Sequence, residues 1–189
     1  MRHKYETRGI VLSRAPVGEA STFVTLLTPE LGLVRALAQS IRRPSAKLAP
    51  ALATFAESSI VLVRGRDGWR LSGAVLEESW FARMQSAGEV PRAARVSALL
   101  LRLVAGEAHD TVLFPIMQGF FRALSESPRD LCEAVEMLAA LRTLAALGLN
   151  SGEIPGDITT FTPTLLARVA EDRAKYITRI NRGITASGL

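Results

Sequence analysis

Between Tyr5 and Glu78 the chain contains five short runs: YETRGIVLSR (5–14), STFVTLLT (21–28), LVRALA (33–38), SSIVLVR (58–64) and WRLSGAVLEE (69–78). Their apolar residues recur with a period of about two, as a half-buried strand requires. Turn chemistry separates them. Pro16-Val17-Gly18-Glu19 follows the first run and Pro29-Glu30-Leu31-Gly32 the second, while Asp67-Gly68 between the last two is a strong hairpin signal. Gly9, inside the first run, marks a bulge or a sharp coil. Gln39–Thr54, basic at its start and proline-bearing, is expected to hold a short helix plugging one end. Five short strands in this arrangement predict a small β-barrel, one of the recurrent platforms for single-stranded nucleic acid.

From Trp80 onward the period changes to that of a helix. Val96, Leu99, Leu100, Leu103 and Val104 share one helical face, with Pro91 near the start. Leu113, Ile116, Met117, Phe120, Phe121 and Leu124 repeat the spacing after Asp110-Thr111, a possible cap. A third helix runs from Ser127-Pro128 to Gly148 with leucines around much of its circumference, which predicts a central position in a bundle. A fourth is expected from Thr162-Pro163 to about Arg182, with Leu166, Val169, Tyr176, Ile177 and Ile180 inward. Asn150–Phe161, rich in Gly, Pro and Asp, reads as a linker. The fold class is therefore β + α in two domains: a five-stranded OB-fold barrel over residues 1–80 and an all-α helical domain over 81–189.

Composition narrows the function classes. Apolar residues make up 48% of the 189 residues, enough for a packed core. There is no run of 18 apolar residues, and Met1-Arg2-His3-Lys4-Tyr5 lacks the apolar stretch of a signal peptide, so a soluble, cytoplasmic protein is expected. The single cysteine, Cys132, excludes an internal disulfide and a cysteine-based zinc site. The two histidines, His3 and His109, are far apart, and His109 reads as a solvated residue between helices. With no glycine-rich phosphate loop, P-loop lysine or G-x-S-x-G motif, catalysis has no foothold. Neither a metal nor an organic cofactor is expected, and the chain does not read as an enzyme.

The charge is unevenly spread. Residues 1–80 hold 11 Lys/Arg against 7 Asp/Glu, while residues 81–189 hold 12 against 11. A basic barrel joined to a nearly neutral helical half either faces a polyanion or keeps its net charge away from zero for solubility. Position favours the polyanion. In an OB-fold, nucleic acid lies across strands 2 and 3 and against the loops joining strands 1–2 and 4–5. Arg14 enters the first of these loops, Arg35 lies on strand 3, and Arg64 and Arg66 form the second loop with Arg70 following it. Arg42, Arg43 and Lys47 continue from the end of strand 3. Such cations meet phosphates without reading sequence. Trp69, Phe23 and Tyr5 either stack on bases or complete the core. On the last helix, Arg168, Lys175, Arg179 and Arg182 fall close to one line, which is either a second strip for DNA or an acidic peptide tail, or the wet face of an amphipathic helix.

A resemblance adds to this. Tyr5-Glu6-Thr7-Arg8-Gly9-Ile10-Val11-Leu12, then Gly18-Glu19-Ala20, then Val24-Thr25-Leu26-Leu27-Thr28-Pro29-Glu30-Leu31-Gly32, resembles the start of the RecO family of bacterial recombination mediators. The continuation Ala38-Gln39-Ser40-Ile41-Arg42-Arg43-Pro44 with Lys47-Leu48 resembles it too. The likeness covers about the first eighty residues. It implies an OB-fold followed by helices, binding of single- and double-stranded DNA, annealing of complementary strands, and help in loading RecA. It implies RecR and the acidic C-terminal tail of single-strand-binding protein as partners, and a nucleoid-associated place in the cytoplasm. Arg14, Arg35, Arg42, Arg43 and Lys47 match the segment through which the family is thought to hold DNA. Many members carry a four-cysteine zinc module after a Leu-Gly step; here Leu147-Gly148 is followed by Leu149–Gly156 without cysteine. Two other uses of the fold remain open: an adaptor that grips a protein partner through its helices, and an RNA-binding barrel.

Overall fold

The computed structural model describes residues 3–39, 48–104, 106–107 and 111–189. The positions of Arg42, Arg43, Lys47, His109 and Asp110 lie outside the described residues. Two compact units are present. The first runs to Ala82 and includes Gly106–Phe114; the second comprises Arg83–Ala105 and Pro115–Leu189.

The first unit is a closed barrel of β1 (Lys4–Val17), β2 (Ser21–Thr28), β3 (Gly32–Ala38), β4 (Ala56–Gly65) and β5 (Gly68–Ser79), in the spatial order β1-β2-β3-β5-β4. All neighbours are antiparallel except β3 and β5, which meet in parallel at Ala36 with Trp69 and Leu37 with Arg70. The long first strand closes the sheet by pairing with β2 through its second half and β4 through its first. It manages both by bending. A register shift between Val11 and Ser13 inserts one extra residue, and a bulge of this kind increases local coil. At Gly9 a Cβ would stand 2.9 Å from Ile60 Cδ1, so a side chain there would have to displace the Ile60 methyl.

Inward-facing residues follow the period of two. Val11, Val24, Leu26, Val34, Ala36, Ile60, Leu62 and Trp69 form one cluster with Leu52. The short helix expected within Gln39–Thr54 takes the form of a 3-10 turn at Pro50–Leu52, which brings Leu52 into that cluster. Phe55 follows with a φ of 64°, unusual for a bulky residue. Its N–H donates to the Val11 carbonyl at 2.8 Å and its carbonyl accepts from Trp80 N–H at 3.2 Å. Beneath it Glu57, almost wholly buried, accepts from the Arg8 guanidinium and from Trp80 Nε1 at 3.2 Å. A buried carboxylate is tolerable only with such partners.

The chain continues through a single turn, α1 (Trp80–Arg83), to α2 (Glu89–Leu103), α3 (Leu113–Glu126), α4 (Cys132–Ala146), α5 (Pro163–Glu171) and α6 (Arg173–Ala186). Within the second unit α4 is the axis, with α2, α5 and α6 packed on it. Residues from Cys132 to Leu144 are buried almost all round, which is what its leucine-rich circumference predicts. The single last helix expected from the sequence is two. Thr162 caps α5, its side chain accepting from Leu165 N–H, and the helical run breaks at Asp172, where ψ is 23°. Aspartate is a weak helix former whose carboxylate favours helix starts, and here it lies 3.7 Å from Lys175 Nζ in the first turn of α6. Of the residues expected inward, Leu166, Val169 and Tyr176 are buried, while Ile177 and Ile180 are half-buried.

The cysteine-free linker is fastened by one cation. Arg142, 2% exposed on α4, donates to the carbonyls of Pro155 (3.0 Å), Ile158 (3.0 Å) and Thr160 (2.8 Å) and lies 4.6 Å from the centre of the Phe161 ring. Burial lowers its guanidinium from its ordinary value to about 10, with Asp157 opposing that shift.

Candidate nucleic-acid interface

The outer face of β2 and β3 is set by register. Thr25 pairs with Arg35 and Phe23 with Leu37, while Val24 and Leu26 turn inward with Val34 and Ala36. Phe23 therefore lies outside the barrel. It is half-buried and carries the exposed Arg35 guanidinium 4.2 Å above its ring centre. Through the parallel pairing of Leu37 with Arg70 the same face continues onto β5, so Arg35 and Arg70 are diagonal neighbours, a spacing that long side chains bridge.

The β4–β5 hairpin borders this face. Gly65 pairs with Gly68, leaving Arg66-Asp67 as the turn, one residue earlier than Asp67-Gly68, and Gly68 takes a φ of 103°. Only glycine adopts that conformation at little cost. Arg64, Arg66, Asp67 and Arg70 line a pocket of about 690 Å³ at the tip. Arg70 lies 3.8 Å from Asp67, both exposed, and such a pair is easily exchanged for another anion. Among the described residues Arg14, Arg35 and Arg66 have no carboxylate partner. Arg14 is exposed on β1 opposite the core residue Val24, so it leaves the barrel rim with the opposite parity to Arg35. The register thus places Arg35 and Arg70 on one face with Phe23, the hairpin pocket joins Arg66 to Arg70, and Arg14 is set apart.

The other two aromatics are occupied. Trp69 is 6% exposed, belongs to the barrel core, and meets Tyr5 edge-on at 5.0 Å between ring centres. Its Nε1–H donates to Glu107 Oε1 at 2.8 Å. The same carboxylate oxygen accepts from Arg64, whose guanidinium lies 4.8 Å from the Trp69 ring centre. Arg64 is therefore ion-paired within the barrel unit. Glu107 has no signal in the sequence, since one carboxylate 38 residues from Trp69 leaves no local pattern. The outward place of Phe23 was available from parity: it alternates with Val24 and shares its face with Thr25.

In the helical unit, Arg168, Lys175 and Arg179 line a second pocket of about 430 Å³ with Tyr176. Arg179 is committed there to the Glu153 carbonyl (2.9 Å) and Asn150 Oδ1 (3.3 Å). Among the described residues no three His, Cys, Asp or Glu side chains gather as a metal site.

Known proteins are similar to this chain in sequence. Residues 1–80 fit the family model described as Recombination protein O N terminal. The chain is 32% identical over 146 residues to the DNA repair protein RecO of Heliobacterium modesticaldum, covering 76% of this chain and 51% of that protein. Over residues 1–80 the chain belongs to the RecO family. Those 146 residues outrun the barrel, so the likeness takes in helical sequence as well. The RecO of Dehalococcoides mccartyi is 28% identical over 131 residues, 69% of this chain and 52% of that protein. That of Acaryochloris marina is 35% identical over 101 residues, 53% of this chain and 34% of that protein. The chain matches between about a third and a half of the length of these relatives. Among the described residues no helix is long and apolar enough to cross a membrane.

Proposed function

We propose that this chain is a non-catalytic DNA-repair protein that binds single- and double-stranded DNA, anneals complementary strands and, with RecR, helps load RecA onto DNA covered by single-strand-binding protein. The observation that carries it is the Arg35–Phe23 pair on the outer barrel face, with Arg70 diagonal to Arg35 and Arg66 sharing the hairpin pocket with Arg70. An aromatic plane gives a base somewhere to stack, and adjoining cations hold the flanking phosphates. Annealing needs no active site: cations lower the repulsion between two strands, and base pairing supplies the free energy. Arg14, Arg42, Arg43, Lys47 and Arg64 are the further DNA contacts in this reading, and the protein works in the cytoplasm at the nucleoid. Family membership supports the partners and the repair role; the geometry supports the polyanion.

An Arg35→Ala/Arg70→Ala variant tests it. Each lost phosphate contact lowers the slope of log affinity against log salt by about one, so the double variant is expected to lose about two. An unchanged slope in a folded variant contradicts the reading, as does unchanged binding by a folded Arg42→Ala/Arg43→Ala variant.

A second reading rests on the pocket of Arg168, Lys175 and Tyr176. There the protein is chiefly an adaptor, its helices gripping RecR or the acidic tail of single-strand-binding protein while the barrel adds little DNA affinity. Firm binding of an acidic peptide with weak, salt-insensitive DNA binding would favour it.

A further inference from the structure

The Arg64 guanidinium and the Trp69 indole N–H converge on a single oxygen, Oε1 of Glu107. Two donors of different chemistry aimed at one oxyanion constitute a receptor for it. The indole is fixed: it is buried in the barrel core and braced edge-on by Tyr5. Its N–H has one direction in which to donate. Arg64 is held over the indole face, which limits the orientations of its planar fork. The receptor is thus preorganised on rigid β-strands. Its occupant is not rigid in the same way, since the Glu107 side chain is 42% exposed and that of Arg64 is 48% exposed. Water and other anions reach both. The hairpin pocket with Arg66 and Arg70 opens on the same Arg64.

We propose that the Arg64–Trp69 pair is a backbone-phosphate site for DNA and that Glu107 is its internal occupant, displaced when a strand binds. This rests on the DNA-binding reading above and adds two residues to it. Trp69 acts through its N–H rather than by stacking, and Glu107 is a competitor rather than a contact. Exchange conserves the bonding: a phosphate oxygen accepts from the same two donors, and the freed carboxylate is taken up by water. The carboxylate weakens DNA affinity by roughly the two- to fivefold that a half-exposed ion pair commands.

Binding of a fluorescent single-stranded oligonucleotide to the full chain tests this, in wild type, Glu107→Gln, Arg64→Ala and the double variant. Glutamine keeps the shape and can still accept from both donors, so the fold is expected to survive; circular dichroism checks it, and Glu107→Asp serves as a second variant. Glu107→Gln is expected to bind two- to fivefold tighter, and that gain is expected to vanish when Arg64 is already alanine. Trp69→Phe, which keeps the ring and deletes the N–H, is expected to weaken binding. An equal gain from Glu107→Gln with and without Arg64 would reveal only general electrostatics and overturn the proposal. No gain alongside salt-sensitive wild-type binding would overturn it while leaving the DNA-binding reading intact. Absence of DNA binding in every variant would defeat both.

Discussion

Replacing Arg142 by methionine removes the cation on which the 155–161 segment is hung, while keeping most of the apolar stem that fills the space beside α4. The structure sets the size of the effect. Three hydrogen bonds from a charged donor to the carbonyls of Pro155, Ile158 and Thr160 are lost, each worth about 1.5–3 kcal/mol. Against that stands the cost of holding a charge where only 2% of the residue meets solvent. The fall of the guanidinium from its ordinary value to about 10 corresponds to a penalty on the order of 3 kcal/mol. The hydrogen bonds outweigh the burial, and Arg142→Met is expected to destabilise the protein by about 2–5 kcal/mol. Urea unfolding followed by circular dichroism measures the loss. Cleavage at Glu153 by a glutamate-specific protease reports whether the segment is released. Arg142→Lys, with one ammonium in place of a fork, is expected to fall between the two. A loss below about 0.5 kcal/mol, the scale of ordinary surface substitutions, with no change in cleavage, would show that Arg142 does not hold the segment.

Gly183 in α6 is expected to resist substitution although alanine is the better helix former by about 1 kcal/mol. Its Cβ would lie 2.9 Å from the Leu149 carbonyl oxygen and 3.1 Å from Leu144 Cδ1, and overpacking of this kind costs about 1–3 kcal/mol. A raised Tm for Gly183→Ala would contradict that. The hydrogen bond from Arg173 holds the Glu133 carboxyl below its usual range. A lowered folded-state value stabilises the protein above the ordinary carboxylate pKa, and this is lost as pH falls through the lowered value. The Tm difference between wild type and Arg173→Ala is therefore expected at neutral pH and should close as the pH falls below the ordinary carboxylate range; a gap independent of pH would argue against the pair. Burial raises the Cys132 thiol, assisted by Glu89. Iodoacetamide is expected to label it slowly in the native protein and fast in urea, and equal rates would contradict its burial.

Much of the barrel was legible because strands speak locally. Alternation located all five, and the turn residues Gly32 and Gly68 fixed where they ended to within a few residues. The bulge between Val11 and Ser13 was less legible, since an extra residue in one strand is defined by its partner's register. Leucine periodicity placed α4 at the centre of its unit. It concealed Arg142, because a charged residue amid leucines reads as a solvent-facing position unless the carbonyls that satisfy it are known. The break at Asp172 was hidden for a related reason: the apolar spacing of α5 and α6 stays in phase across it. At the candidate site, the cations of the hairpin and of β3 were visible as charges near predicted loops, and the shared face of Arg35, Arg70 and Phe23 followed from pairings of β3 with β2 and β5. The partnership of Glu107 with Arg64 and Trp69 was not legible, since nothing in the sequence near residue 107 refers to the barrel.

The most direct test of the central claim is a fluorescent single strand titrated with the full chain across a salt series, followed by addition of the complementary strand. Tight binding that weakens steeply with salt is expected, and duplex formation faster than in buffer alone. Binding that is absent or indifferent to salt, or a duplex rate equal to that of the free strands, would contradict that claim.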